Sequence, residues 1–74
     1  MTGDPISPEQ RSMEGKLAIL RSENEPASAM QIRLLAKLLM KHGKDIEYLT
    51  AGAGHYPALS TKNAAFVTKQ LLQM

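Results

Sequence analysis

The sequence predicts an all-α fold, a small three-helix bundle with helices at about residues 8–21, 28–42 and 60–73. Each of these segments has apolar residues at helical spacing, and each begins at or directly after a serine suited to cap a helix. A loop containing glycine and proline precedes the third helix. We expect residues 1–6 to form a flexible lead-in and residues 7–74 to form a single small helical domain.

The first predicted helix begins at Pro8, the favoured first helical position, directly after the N-cap Ser7. Gln10 is expected to complete a capping box with that serine. The apolar face of this helix is narrow and consists of Met13, Leu17 and Leu20. We therefore expect the helix to cover the core as a lid and to depend on tertiary contacts for its stability.

The central segment SAMQIRLLAKLLMKHG, residues 28–43, has the clearest helical period in the chain. Ser28 and Gln31 predict a capping box at its start, and Gly43 predicts a left-handed residue just past its end. Four leucines are predicted to form one broad apolar face, with Ile32 at its margin: Leu34, Leu35, Leu38 and Leu39.

The opposite side of the central helix carries Arg33, Lys37 and Lys41 at four-residue spacing, and Lys44 joins them if the last turn continues. No acidic residue lies within this segment, so each pair of like charges destabilises the helix by a few tenths of a kcal/mol, roughly. The stripe is either a solvated face or a contact surface for an anionic partner.

Residues 44–58 lack a sustained period, but Ile46 and Leu49 are placed to form a short helical turn that returns apolar groups to the core. The following AGAGHYPAL run predicts a loop, anchored by burial of the Tyr56 ring. Its Gly52-Ala53-Gly54 sequence favours a turn over an anion-binding nest, because the strand–turn–helix setting of such nests is missing.

The last predicted helix begins after the N-cap Ser60, with Leu59 placed to act as a hydrophobic staple. Its inward stripe consists of Ala64, Val67 and Leu71. Lys62 and Lys69 are seven residues apart and share its outer face.

Catalysis and metal binding are not expected. The chain has no cysteine, which excludes disulfides, thiolate metal sites and a cysteine nucleophile. His42 and His55 have no carboxylate or second ligand at metal-binding spacing. We therefore expect a protein that is not an enzyme and has no cofactor.

The sequence predicts a cytoplasmic protein that does not cross a membrane. No apolar run approaches the roughly 18 residues that a transmembrane helix needs, and the polar start MTGDPISPEQ is unlike a signal peptide. A helix lying on a membrane surface is disfavoured, because so short a chain needs its apolar face for the core.

Charge is distributed unevenly along the chain. Residues 1–27 contain five acids and three bases, whereas residues 28–74 contain six bases and two acids. This asymmetry favours an anionic partner for the second part. The residues predicted to bind that partner, or phosphates, are Arg33, Lys37, Lys41, Lys44, Lys62 and Lys69. The predicted loop contacts are Tyr48, His55 and Tyr56.

The central segment, together with LSTKNAAFVTKQLL from Leu59, resembles a small helical module of phage and bacterial proteins. In that module a T-x-x-Q helix start is followed, after a loop, by a second helix opening L-T-K-x-E-A-S. The residues that match are Ser28, Gln31, Leu59, Ser60, Ala64 and Leu71. The module is commonly appended to recombination, annealing or nuclease proteins, so the resemblance implies work near DNA.

Two functions are open at this point. The chain is either a regulatory or interaction protein that docks on the acidic patch of a larger nucleic-acid-processing enzyme or defence complex, or a module that contacts DNA or RNA phosphates directly. The first is favoured because an acidic first segment beside a basic remainder suits a protein partner at least as well as a nucleic acid. Few aromatic residues are present, which argues against a platform for stacking single-stranded bases.

Overall fold

The computed structural model describes residues 6–52, 55–56 and 58–74 and shows an all-α protein. The described residues form four helices: α1 (Pro8–Ile19), α2 (Ala29–Lys41), α3 (Glu47–Thr50) and α4 (Thr61–Leu72). The three predicted helices are present, and their ends agree with the prediction to within two residues. The fourth helix, α3, is the short turn expected around Ile46 and Leu49. Four parts of the chain lie outside the described residues: residues 1–5, Ala53, Gly54 and Pro57. Most of the predicted lead-in and most of the predicted Gly52–Gly54 turn therefore lie outside them too.

Serine side chains fix the start of each long helix. The Oγ atoms of Ser7, Ser28 and Ser60 each accept a hydrogen bond, of 3.0–3.1 Å, from the backbone N–H three residues later. Each of these bonds satisfies a donor that has no partner inside its helix. The three predicted N-caps are confirmed.

The capping box is present at α2 and absent at α1. The Oε1 atom of Gln31 accepts from the N–H of Ser28 at 2.9 Å, which completes the box predicted for α2. At α1 the side chain of Gln10 instead donates to Glu14 Oε2 at 2.9 Å. The capping box predicted for α1 is therefore wrong, because a carboxylate one turn away offers the amide a charged acceptor.

The end of α2 is set by Gly43, whose φ of +66° is the predicted left-handed conformation. The N–H of Lys44 donates to the Leu39 carbonyl at 2.8 Å, and the N–H of Gly43 donates to the Met40 carbonyl at 3.1 Å. This pair of bonds is a Schellman motif. It turns the chain away from the helix axis and towards α3.

Helix α2 lies between the other two long helices. Among the described elements, α1 and α4 each pack against α2 and not against each other. The core is made of buried apolar side chains from all four helices and from two residues outside them: Met13, Leu17, Ala27, Ile32, Leu35, Ala36, Leu38, Leu39, Leu49, Leu59, Ala64, Val67 and Leu71. The inward stripe predicted for α4 is confirmed.

The buried face of α2 is rotated relative to the prediction. Ile32, predicted at the margin, is only 5% exposed, and Ala36 is fully buried, whereas Leu34 is 43% exposed. The prediction that Leu34 belongs to the core face is wrong. The centre of the face depends on where α1 and α4 contact α2, and the small side chain of Ala36 fits beneath a closely packed neighbour.

Leu59 joins the α1–α2 connection to the start of α4. Its N–H donates to the Leu20 carbonyl at 2.7 Å, and its carbonyl accepts from the N–H groups of Ser22 at 3.0 Å and Ala27 at 3.1 Å. The N–H of Thr61 adds a bond of 2.8 Å to the carbonyl of Glu25. These bonds hold the first turn of α4 beside the first turn of α2.

The segment between α2 and α4 returns apolar groups to the core, as predicted. Leu49 of α3 is fully buried. The half-buried ring of Tyr56 packs against the core and meets the ring of Phe66 edge-on, with centroids 6.0 Å apart. The Tyr56 hydroxyl donates to Gln70 Oε1 at 2.9 Å, which ties this segment to α4.

Candidate interaction surface

The side of α2 that faces away from the core carries the predicted basic stripe. Arg33, Lys37 and Lys41 are all exposed. The four-residue spacing keeps them in one row along the helix, because it nearly matches the 3.6-residue turn. The structure therefore places the three central members of the predicted contact set on one accessible face.

One member of this row has an ion-pair partner. Arg33 Nε lies 3.8 Å from Glu14 Oε2 on α1, and the Arg33 side chain is still 55% exposed. A pair this accessible contributes about 0–1 kcal/mol to stability, and the Arg33 side chain stays accessible to a partner. Lys37 and Lys41 have no ion-pair partner among the described residues.

Two apolar side chains lie beside the basic row. Met30 is 83% exposed and Leu34 is 43% exposed, and they follow each other at the same four-residue spacing. A shallow depression is lined by Met30, Gln31, Arg33, Leu34 and Lys37. We refer to Met30, Arg33, Leu34, Lys37 and Lys41 as the α2 outer face. It is a mixed apolar and cationic surface and not a purely charged one.

A second depression, the α2–α4 groove, runs along the junction of the two helices. It is lined by Gln31, Leu34, Ala65, Thr68, Lys69 and Leu72. Leu34 belongs to both depressions, so the groove continues the α2 outer face. Leu72 is 63% exposed. Lys69 is exposed and, among the described residues, has no ion-pair partner.

The two uncharged polar side chains that line the groove are bonded within the protein. The amide of Gln31 accepts from the Ser28 N–H through Oε1 and donates to the Thr61 carbonyl through Nε2, at 3.1 Å. The hydroxyl of Thr68 donates to the Ala64 carbonyl at 2.7 Å. A molecule in the groove therefore meets apolar carbon and the Lys69 ammonium group, and few free hydrogen-bonding groups.

Lys44 and Tyr48 lie beyond the C-terminal end of α2, with Tyr48 on α3, and they contact each other. Lys44 Nζ is 5.2 Å from the centroid of the Tyr48 ring, within the range of a cation–π interaction. Nearby, Lys16 Nζ of α1 is 3.6 Å from Asp45 Oδ1. Helix α2 ends at Lys41, before Lys44, and Lys44 is half-buried, so Lys44 does not continue the exposed row on α2.

The remaining predicted contact residues do not join the α2 outer face. Lys62 is exposed on the first turn of α4, and His55 is exposed in the segment before that helix, with a φ of +49°. Tyr56 uses its ring and its hydroxyl in internal contacts. A role for these residues in binding stays a prediction.

The described part of the chain offers no metal centre and no membrane-spanning element. No three histidine or carboxylate side chains come together there as ligands. None of the helices described is both long enough and apolar enough to cross a bilayer.

The comparisons with known proteins give no significant match. The chain matches no protein-family model, and no curated protein or solved structure is significantly similar to it. The resemblance of residues 28–72 to the phage and bacterial module therefore stays a prediction.

Sequence reasoning missed the apolar members of this surface. Met30, Leu34, Ala65 and Leu72 were not among the predicted site residues. The available signal was the pair Met30 and Leu34, which runs parallel to Arg33 and Lys37 at the same spacing.

Proposed function

We propose that the chain is a small non-enzymatic interaction protein that docks on an acidic patch of a larger protein through the α2 outer face. The observation that carries this proposal is the placement of exposed Met30 and Leu34 beside the exposed Arg33 and Lys37. Methionine and arginine are both enriched where proteins contact proteins.

The mixed character of this face favours a protein over a nucleic-acid backbone. Contacts to phosphates are made by cations and hydrogen-bond donors, and apolar side chains gain nothing from them. A protein partner can cover Met30 and Leu34 with apolar groups and meet Lys37 and Lys41 with carboxylates. The lysines would then direct the encounter and the choice of partner more than they raise the affinity.

Direct binding of DNA or RNA phosphates is the second candidate function. It is favoured by the exposure of Lys37, Lys41, Lys62 and Lys69, which have no ion-pair partner among the described residues. Binding of duplex DNA through such contacts has a steep salt dependence, with a log–log slope of about −0.9 per phosphate contact.

The type of partner and the source of the chain are proposed from the resemblance of residues 28–72 to the recombination-associated module. The partner is then a nucleic-acid-processing enzyme or a defence complex in the cytoplasm of a bacterium, and the chain is encoded by a phage or by that bacterium. The described residues support the docking surface independently of this setting.

Affinity capture from a nuclease-treated bacterial lysate tests the proposal. The tagged protein is compared with the double variant Lys37→Glu/Lys41→Glu and with the control Lys62→Glu, which changes an exposed lysine outside the α2 outer face. We expect one acidic protein to be retained by the parent and by the control and to be lost from the double variant.

Two outcomes contradict the proposal. If a protein is captured from an untreated lysate but not from the nuclease-treated one, and the purified chain binds duplex DNA with the salt slope above, the second function replaces the first. If the double variant captures the same protein as the parent, the α2 outer face is not the docking surface.

A further inference from the structure

We infer that the α2–α4 groove receives a single helix of the partner, an amphipathic helix with a row of large apolar side chains flanked by carboxylates. This inference rests on the proposed function and specifies the chemistry of the partner. Short amphipathic helices that lay an apolar face into a groove are a recurrent mode of protein recognition.

The make-up of the groove suits a helix. Its lining combines the small side chain of Ala65 with the larger apolar side chains of Leu34 and Leu72. Small residues between larger ones accept the projecting side chains of a facing helix. Helices α2 and α4 have 13 and 12 residues. The groove is lined by Gln31 and Leu34 of α2 and by residues 65–72 of α4. At 1.5 Å per residue the α4 side spans about 10 Å, enough to contact about two turns of a partner helix.

The charges around the groove specify the flanks of that helix. Lys69 lines the groove and Lys37 lines the adjoining depression; both are exposed, and none of the residues that line the groove is acidic. A helix seated in the groove is favoured if it carries Asp or Glu beside its apolar row, where these carboxylates can meet the two lysines. A basic helix is repelled, which gives the groove a means of discrimination.

The bonding of the lining residues argues against an extended peptide. A peptide in β conformation needs free backbone donors and acceptors from a sheet edge. The groove is walled by two helices, and the Gln31 amide and the Thr68 hydroxyl are already bonded within the protein. A helix satisfies its own backbone and needs only the apolar contact and the lysines that the groove provides.

Selection from a displayed library of helix-forming peptides tests the inference, with the full-length protein as the target. We expect the recovered sequences to be enriched in Leu, Ile or Phe at spacings of three, four and seven residues, flanked by Asp and Glu. Binding of the recovered peptides is then measured by fluorescence anisotropy. Amide shifts in the NMR spectrum on addition of peptide should be largest at Leu34, Ala65 and Leu72.

Two exposed leucine-sized side chains provide a matched pair of variants. Leu72→Asp, at the end of α4, is expected to weaken peptide binding by about tenfold or more, because it removes an apolar contact and repels the carboxylates. Ile19→Asp makes the same kind of change at an 84% exposed residue of α1 and should leave binding unchanged. Far-ultraviolet circular dichroism verifies that both variants are folded.

The outcomes separate this inference from the proposed function. Suppose that the peptides bind Leu72→Asp as tightly as the parent but do not bind Lys37→Glu/Lys41→Glu. The groove is then not the binding site, while the α2 outer face remains the proposed docking surface. If neither variant weakens binding, both proposals fail. The inference also fails if no acidic helical sequence is recovered, or if a DNA duplex or phosphatidylglycerol vesicles bind through Leu72 as the peptides are expected to.

Discussion

The side chain of Gln31 joins the starts of two helices, because its Nε2 atom donates to the Thr61 carbonyl while its Oε1 atom accepts from the Ser28 N–H. A single amide thus caps α2 and ties it to α4, which forms the other wall of the groove. The placement of the two helices relative to each other depends in part on this residue.

Replacing Gln31 with alanine should lower the free energy of unfolding by about 1–2 kcal/mol, because both bonds are lost. Gln10→Ala is the matched control. Gln10 occupies the same third position of a serine-capped helix, but its side chain bonds only to Glu14 of its own helix. Urea denaturation of the two variants gives the comparison. An equal loss for both would contradict the expectation, because the two bonds of Gln31 would then contribute no more than the single bond of Gln10.

The rotation of α2 predicts different effects for two adjacent leucines. Leu35 is fully buried and Leu34 is 43% exposed. Leu35→Ala should therefore lower the free energy of unfolding by roughly 2–5 kcal/mol. Leu34→Ala should lower it by less than about 1 kcal/mol. Thermal unfolding followed by circular dichroism measures both, and a reversed order would contradict the orientation of α2.

The two glycines Gly43 and Gly15 should respond to alanine in opposite directions. Gly43 has a φ of +66°, and an added Cβ meets no atom within 4 Å, so the penalty is conformational and not steric. We expect Gly43→Ala to destabilise the protein by about 1–2 kcal/mol. Gly15 lies inside α1 with equally open space, so Gly15→Ala should stabilise it by about 0.5–1 kcal/mol. Denaturant midpoints measure both changes, and two shifts of the same sign would contradict the expectation.

The ion pair between Glu14 and Arg33 predicts an effect on binding. Glu14→Gln keeps an acceptor for Gln10 but releases Arg33, so it should change stability by less than about 1 kcal/mol. It should also tighten binding of the acidic partner modestly, because the charge of the α2 outer face is no longer offset. Glu9→Gln, an exposed change in the first turn of the same helix, is the control. Anisotropy titrations with an acidic peptide measure the difference, and weaker binding by Glu14→Gln would contradict it.

Local signals allowed the helices to be predicted, and long-range contacts explain what could not be. A capping serine bonds to an N–H only three residues away, and a glycine that ends a helix affects only the adjacent turn. Both residue types can therefore be recognised in the sequence without knowledge of the tertiary packing. The exposure of Leu34 depends instead on where α4 contacts α2. The pairing of Glu14 with Arg33 depends on how α1 crosses the same helix, and no local pattern contains that information.

The same distinction explains the difference between the predicted and observed sites. The basic row on α2 follows from helical spacing and was predicted. The α2–α4 groove brings together Leu34 and Leu72, which are 38 residues apart in the chain. Its existence depends on the packing of two helices, so residue types and spacing within either helix alone do not indicate it.

The backbone N–H of Leu59 donates a hydrogen bond to Leu20, and its carbonyl accepts from Ser22 and Ala27, all three in the α1–α2 connection. That connection and the start of α4 should therefore open as one cooperative unit in the native state. In amide hydrogen exchange, Ser22, Ala27 and Leu59 are expected to exchange with a shared opening free energy, whereas Asn24, bonded only to the nearby Ser22 side chain, exchanges faster. Any event that loosens this connection then also releases the wall of the groove that α4 provides.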